Sequence, residues 1–401
     1  MKLLLITAQT PYGKGEAFIL EEILEMRSQR IDLIIIPRNP SKEVFHKKAK
    51  ELLENTIWLP LINFKMMVNF LKVLLTKILP WIILGSIIRH SRNLWIFIKD
   101  LAIFPKAVFI AKIIEKAEIQ HIHAHWGSTT ATVAYFVSKF TNIPWSFTLH
   151  RWDIKENNLL KEKVKSAQFI RCISEHGKRE LLEIVGKDYE QKIKVLHMGV
   201  KIASNIQEFS KNKKKFIIAT PANFLEVKGH RYLIEACSNL LKQGIENFQC
   251  IFFGEGPLKD KLEKLIKEKE LTKYVKMVEA IPHEKLMEMY KNKKIDLIIL
   301  PSITTEKSEH EGIPVSLMEA MAYKIPVIST NTGGIPELLS NGAGVIVKEK
   351  SPEELKKTII KVMKKEGFAK GLSQKAYQRI QEKFNIEKNT KILLELIRKS
   401  L

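Results

Sequence analysis

A chain of 401 residues is long enough for about two domains. Its 45% hydrophobic content supplies full cores, and with 27% charged residues it excludes a disordered polymer. The formal net charge of +22 comes mostly from lysines spread along helical patterns without aromatic interleaving. That pattern argues against nucleic acid and for an anionic surface or a small anionic substrate.

Apolar runs of strand length alternate with helical patterns in two successive sets. Residues 2–7 open the first set, in an apolar run too short for a signal peptide. Runs at 31–37, 119–125, 143–149, 167–172 and 193–197 complete it. The second set comprises 215–220, 248–253, 275–279, 295–300, 325–329 and 343–347. Near-continuous Ile, Val, Leu and Phe between helices predict parallel sheets covered on both faces, and hence two doubly wound α/β domains. The expected boundaries are 1–200 for the first domain, a polar linker at 201–214 and 215–372 for the second domain. A closing helical segment, 373–401, is expected to cross back to the first.

The rhythm breaks at 57–115. Between Phe64 and Leu79 the residues Lys65, Asn69, Lys72 and Thr76 form a narrow polar stripe on a mainly apolar helix, and Ile78 to Ile88 carries no charge but contains Pro80. A bilayer span needs about 20 apolar residues. The segment therefore predicts helices lying at a membrane surface, with Trp58, Trp81 and Trp95 at headgroup depth. Helices simply packed on the first sheet are the alternative. Cys172, Cys237 and Cys250 lie among apolar residues without metal-ligand spacing, an odd count that points to reduced thiols and a cytoplasmic compartment.

The densest chemistry lies at 308–338. Glu311, in a loop, precedes Gly312-Ile313-Pro314 and a helix that carries Glu319 about two turns in; a strand and a Gly333-Gly334 turn follow. Carboxylates accept bonds from hydroxyls, and the amides of Ile313, Val315 and Ser316 at a helix start suit anionic oxygens. A polyol joined to an anion, such as a sugar nucleotide, fits that pattern. Lys228 offers a cation for a diphosphate. No Asp-x-Asp triplet is present for a metal-bridged one, so neither a metal nor another cofactor is expected.

In the first half, His121, His123 and His125 alternate along one strand and share a side, but the partners of a firm zinc site are missing nearby. They are either satisfied strand histidines or, for His125, part of an acceptor pocket. His150 ends a strand at the sheet edge where ligands collect. Gly13-Lys14-Gly15 is a turn that lets backbone approach a ligand, or a plain loop.

Together these motifs resemble the donor-binding domain of the family-4 retaining glycosyltransferases, which have the GT-B fold. The likeness rests on Lys228-Gly229-His230, Gly254-Glu255-Gly256-Pro257, Glu311 to Pro314, Glu319 to Ala322, and Gly333 to Glu337. Stretches 15–23, 121–134 and 143–154 resemble the subset that builds bacterial exopolysaccharides. The resemblance implies two Rossmann-like domains facing an interdomain cleft. It also implies retaining, metal-independent transfer of a sugar from a nucleoside-diphosphate sugar to a hydroxyl of a lipid-linked or growing cell-surface glycan. The work would be done in the cytoplasm, peripherally at the inner face of the plasma membrane.

By the same resemblance Glu311 faces the transferred sugar, Glu319 holds the ribose and Lys228 the diphosphate. His150 and His125 line the acceptor side, and Gly254, Gly312, Ile313, Val315, Ser316 and Gly15 surround the donor. Contacts to the base are expected from 279–286, whose side chains name no base. One position departs: where the family usually has an Arg, five residues before the lysine, this chain has Asn223. That leaves two alternatives in play, an epimerase or hydrolase of the same fold and a non-catalytic carbohydrate- or membrane-binding subunit. A glycan phosphorylase would need a pyridoxal-phosphate lysine that no motif marks.

Overall fold

A computed structural model describes residues 1–13, 16–204, 206, 215–279 and 281–401. Gly15, expected near the donor, and most of the expected linker lie outside the described residues. The chain forms two compact units, one made of Met1–Met198 with Glu387–Leu401 and the other of Gly199–Ile386.

In the first unit six strands are all parallel: β1 (Lys2–Thr7), β2 (Asp32–Pro37), β3 (His121–His125), β4 (Trp145–Leu149), β5 (Phe169–Cys172) and β6 (Ile193–Val195). Their order is β2-β1-β3-β4-β5-β6. Period-two alternation gives each strand two covered faces. Leu4 and Ile6 of β1 enter one core, while Leu3 and Leu5 enter the other with α1 (Ala17–Ser28). The second core is completed from the far end of the sequence. Leu393, Leu394 and Ile397, on the helix Ile386–Arg398, are fully buried there. At about 1.5–3 kcal/mol per buried side chain, three such residues hold the helix firmly on this unit.

The second unit contains β7 (Phe216–Pro221), β8 (Phe248–Phe253), β9 (Val275–Val278), β10 (Leu297–Leu300), β11 (Val327–Thr330) and β12 (Val345–Val347), again all parallel. The order β12-β11-β10-β7-β8-β9 reverses direction between β7 and β10, as the first sheet does between β1 and β3. At such switch points the loops leaving the two neighbouring strands diverge to opposite faces and leave a crevice for a ligand.

One expected boundary is corrected. The helix Glu366–Lys383 stays with the second unit, where Leu372, Ala376 and Ile380 are buried and it packs on the helices Val315–Ala322 and Pro352–Lys364. Arg379 also donates to Glu337 O at 2.8 Å. The return to the first unit begins at Glu387, after that apolar stripe has been used.

The irregular segment folds as α2 (Phe64–Thr76), α3 (Leu79–His90) and α4 (Leu94–Ile114). Asn63 and Asn93 cap α2 and α4 by accepting from the amides of Met66 and Ile96 at 2.8 and 2.9 Å. Pro80, lacking an amide hydrogen, sits in the first turn of α3, and the α2–α3 pair is bent by 100°. The second half of α4 is buried against α5 (Thr129–Thr141), with Phe104 and Phe136 rings 5.0 Å apart. Lys106 on α4 is fully buried, yet its ammonium donates to Pro37 O, Arg38 O and Leu59 O at 2.7–2.8 Å, using all three of its N–H groups. Burial, with the Arg38 charge, pulls its pKa down to about 7.

Candidate active site

The second unit places Lys228 in the loop after β7 and Glu311 in the loop after β10, the two strands that flank its switch point. Their side chains meet, Lys228 Nζ donating to Glu311 Oε2 at 2.6 Å, and Ser302 Oγ donates to the same oxygen at 3.2 Å. The pair is only partly covered, with side-chain exposures of 20% and 14%.

The sequence builds this contact through tight backbone approaches. Gly229, the left-handed residue after Lys228, lies where a Cβ would come within 1.9 Å of Pro301 O. Gly333 is left-handed too, and a Cβ there would meet Glu311 O at 1.8 Å. The amide of Gly334 donates to that same Glu311 oxygen at 3.3 Å. The glycine pair thus cradles the Glu311 loop. Gly254 serves in the neighbouring loop, where Ala222 N donates to Phe253 O and Phe224 N to Glu255 O at 3.0 and 2.8 Å. A Cβ on Gly254 would press on Ala222 O. Asn223, between those two amides, is exposed.

The helix Val315–Ala322 begins after Pro314, and its first bonds run from Leu317 and Met318 to Pro314 O, leaving the amides of Val315 and Ser316 at its opening. Gly312 has open space where a Cβ would stand. Because Pro314 caps the helix so late, Glu319 is its fifth residue, just over one turn in rather than about two. Glu319 Oε1 pairs with His283 Nε2 at 2.7 Å. His283 opens the helix His283–Lys291 and falls in the stretch expected to touch a base. Nothing in its local sequence marked it, since its partner is 36 residues away.

In the first unit the three strand histidines face β4. His121 Nε2 and His123 Nδ1 each share a hydrogen bond with Ser146 Oγ at 2.8 Å, and His123 Nε2 bonds Thr148 Oγ1 at 3.0 Å. Parallel pairing of β3 and β4 sets His123 beside Ser146 and His125 beside Thr148, and His150 follows two residues further on. Burial depresses His121 to about pH 3 and His123 well below its ordinary value. Both are neutral, satisfied strand histidines.

His125 is different, for its Nε2 lies 2.9 Å from His150 Nε2, one ring donating to the other's lone pair. Burial first, then His125 and Arg171, push His150 well below the usual histidine range. On the other side His125 Nδ1 lies 3.5 Å from Glu22 Oε1. Arg171 Nη1 donates to Glu22 Oε2 at 2.7 Å, and its other donors reach Leu196 O and His197 O at 2.8 Å each. Burial would raise the Glu22 carboxyl, but the Arg171 guanidinium and His125 hold it well below the carboxylate range. Arg171 and Glu22 were not foreseen. A charged residue inside an apolar strand, FIRC, is the signal that could have marked one of them.

His125 and His150 are 4% and 7% exposed, under a cover of Phe18 and of Trp126, whose ring lies 4.3 Å from that of His150. Trp126 Nε1 donates to Glu16 Oε1 at 2.5 Å, while Glu16 Oε2 accepts from Thr10 and Gln9. Lys163 donates to Gly127 O, Ser128 O and Asn158 Oδ1 at 2.9–3.0 Å, and burial lowers its pKa to about 8. The loops after β1 and β3 are thereby fixed at the first switch point.

Residues 201–379 match the family described as glycosyl transferases group 1. The two doubly wound units define the GT-B fold. Among curated relatives, WcaL of Escherichia coli, named for colanic acid biosynthesis, is 38% identical over 172 residues, 41% of this chain and 40% of its own. AmsK of Erwinia amylovora, an amylovoran biosynthesis glycosyltransferase, is 32% identical over 197 residues, 49% of this chain and 48% of its own. The matched part of this chain thus spans less than half the length of these relatives. Among solved structures, Anabaena Alr3699/HepE in complex with UDP superposes with a TM-score of 0.73 at 16% identity, covering 100% of both chains. Sucrose-phosphate synthase of Thermosynechococcus elongatus gives 0.73 at 15% identity, covering 100% of this chain and 99% of its own.

Proposed function

We propose that this chain is a retaining glycosyltransferase. It would move a sugar from a nucleoside diphosphate to a hydroxyl of a lipid-linked or growing cell-surface glycan at the cytoplasmic face of a membrane. The observation that carries the reading is the Lys228–Glu311 contact at the switch point of the second unit, inside the family-matched segment. The names of WcaL and AmsK and the UDP held by HepE support an exopolysaccharide context and a nucleotide-sugar donor.

Breaking a sugar–phosphate bond adds about one negative charge to the departing diphosphate. Glu311 takes one of the three Lys228 N–H groups and so pre-orients the ammonium, leaving two donors for phosphate oxygens. A cation already in place stabilises the developing charge more than the ground state, which lowers the barrier. Val315 and Ser316 amides add the positive end of a helix. With these groups and no Asp-x-Asp triplet, the proposed step needs no divalent ion or other cofactor. Glu311 would accept sugar hydroxyls and Glu319 those of the ribose. The neutral, weakly basic His150 suits hydrogen bonding to the acceptor or sugar rather than proton removal, with His125 behind it.

The test is turnover of a panel of uridine and guanosine diphosphate sugars, with product anomers assigned by NMR. Lys228→Ala should weaken nucleoside-diphosphate binding by about 1.5–3 kcal/mol in calorimetry, and Glu311→Ala should abolish transfer with the melting midpoint kept. Unchanged turnover in both variants would remove this pair from the site. The exposed Asn223 in place of the usual Arg favours a second reading, a non-catalytic carbohydrate-binding subunit. Donor binding without any transfer or hydrolysis would establish that one instead.

A further inference from the structure

Three consecutive helices of the first unit leave apolar side chains uncovered. On α2 these are Phe64, Val68, Leu71 and Leu75, spaced four, three and four apart and therefore on one face, with Phe64 and Leu75 each 83% exposed. The break and α3 add Ile78, Trp81, Ile82 and Ile88, and the first turns of α4 add Leu94, Trp95 and Ile98. The opposite faces supply the core through Met66, Ile83, Ile87 and Ile96. Each helix thus has a second apolar face that its own fold does not use.

The charged residues of the segment itself are of one sign, and acids from elsewhere approach it at Lys99, paired with Glu156 at 2.7 Å, and at His90, 3.8 Å from Glu162. Residues 57–99 contain Lys65, Lys72, Lys77, Arg89, Arg92 and Lys99 and not one Asp or Glu. A helix surface meant only for water mixes signs. The cations Lys65, Lys72, Lys77, Arg89 and Arg92 around exposed Leu, Ile and Phe complement a surface that is apolar beneath and anionic above, which describes an anionic bilayer. Trp58, Trp81 and Trp95 are 44%, 54% and 64% exposed, and such amphipathic rings settle at headgroup level. No single helix among the described residues is long and apolar enough to cross a bilayer, and the bent α2–α3 pair suits lying in the membrane plane.

We propose that α2, α3 and the start of α4 form a docking face for an anionic lipid bilayer, with their apolar side chains immersed at the headgroup boundary. This does not depend on glycosyl transfer, so the two readings fail separately. The test uses the full chain in flotation with vesicles of phosphatidylcholine alone or mixed with phosphatidylglycerol. Binding is expected only to the mixed vesicles and should weaken with salt. The triple variant Lys65→Gln, Lys72→Gln, Lys77→Gln should lose about 100-fold in partitioning. That is about fivefold per cation, the equivalent of about 1 kcal/mol each. Phe64→Glu and Leu75→Glu should abolish flotation without moving the melting midpoint, because both positions face solvent. Absence of binding to mixed vesicles at low salt would overturn the proposal. So would lipid-free self-association that Leu75→Glu abolishes, since the face would then belong to a second copy of this chain.

Discussion

The two sheets reverse their strand order in the same way, yet they fill the resulting crevices with opposite chemistry. At the first switch point His125, His150, Glu22 and Arg171 are almost wholly buried, and their hydrogen bonds are closed on one another. At the second, Lys228 and Glu311 meet as a charged pair left partly open to solvent. A charge that is sealed inside must be neutralised in place, by deprotonation or by a fixed partner. A charge meant for a ligand arriving from water must stay reachable. The first site therefore has the character of a rigid, pre-set wall, and the second that of a receptor.

The sharpest way to break this contrast is Glu22→Ala. It would strand the Arg171 guanidinium in the core and cost about 3–5 kcal/mol of stability in chemical denaturation, as for any uncompensated buried charge. A loss under 1 kcal/mol would mean the network is looser than its distances suggest.

Acid comes next. His121, held at about pH 3 against 6.5 when unfolded, contributes stability that is complete above 6.5 and drains away as pH falls toward 3, about 3 kcal/mol at pH 4. His123 and His150 shift the same way, whereas among the described residues the second unit has one such ring, His230, also at about 3. Burial raises Asp153 to about 6, which works the other way: its stability is complete below 3.8 and lost as pH rises through 6, so it offsets part of the loss. Trp58, Trp81, Trp95, Trp126, Trp145 and Trp152 all belong to the first unit. Tryptophan fluorescence should therefore lose its native signal at a higher pH than far-ultraviolet circular dichroism. Coincident transitions would contradict the difference.

In the second unit, Gly333→Ala forces a side chain into Glu311 O at a left-handed backbone position. It should cost about 1–3 kcal/mol of stability, measured by thermal melting, and lower diphosphate affinity as the Glu311 loop shifts. The smallest effect is a gain: Asn223→Arg should tighten diphosphate binding by about 0.5–1 kcal/mol in calorimetry, because an exposed cation near phosphates works against water.

Much of this architecture could be read from residues alone, and the reasons are local. All twelve strands appear within two residues of their expected spans, because buried parallel strands are continuous apolar runs that punctuation residues end cleanly. Lys228, Glu311 and the glycine pair were legible because a glycine forced by a close approach leaves a fixed spacing in the sequence. Glu22, Arg171 and His283 were not. Their meaning lies in partners 149 or 36 residues distant, and no period or spacing announces a contact of that kind. The apolar segment showed its composition but not that each helix would carry two apolar faces, one spent on the core and one left over.

The last helix carries a lesson about biosynthesis. Leu3 and Leu5 share a core with Leu393, Leu394 and Ile397, whose codons come nearly four hundred later. The second unit is contiguous and can fold as it emerges, whereas the first must wait for its last helix to complete the core that α1 begins. Truncation before Glu387 would therefore expose an aggregation-prone surface on the opposite half of the sequence, and a chaperone should be found there on stalled nascent chains.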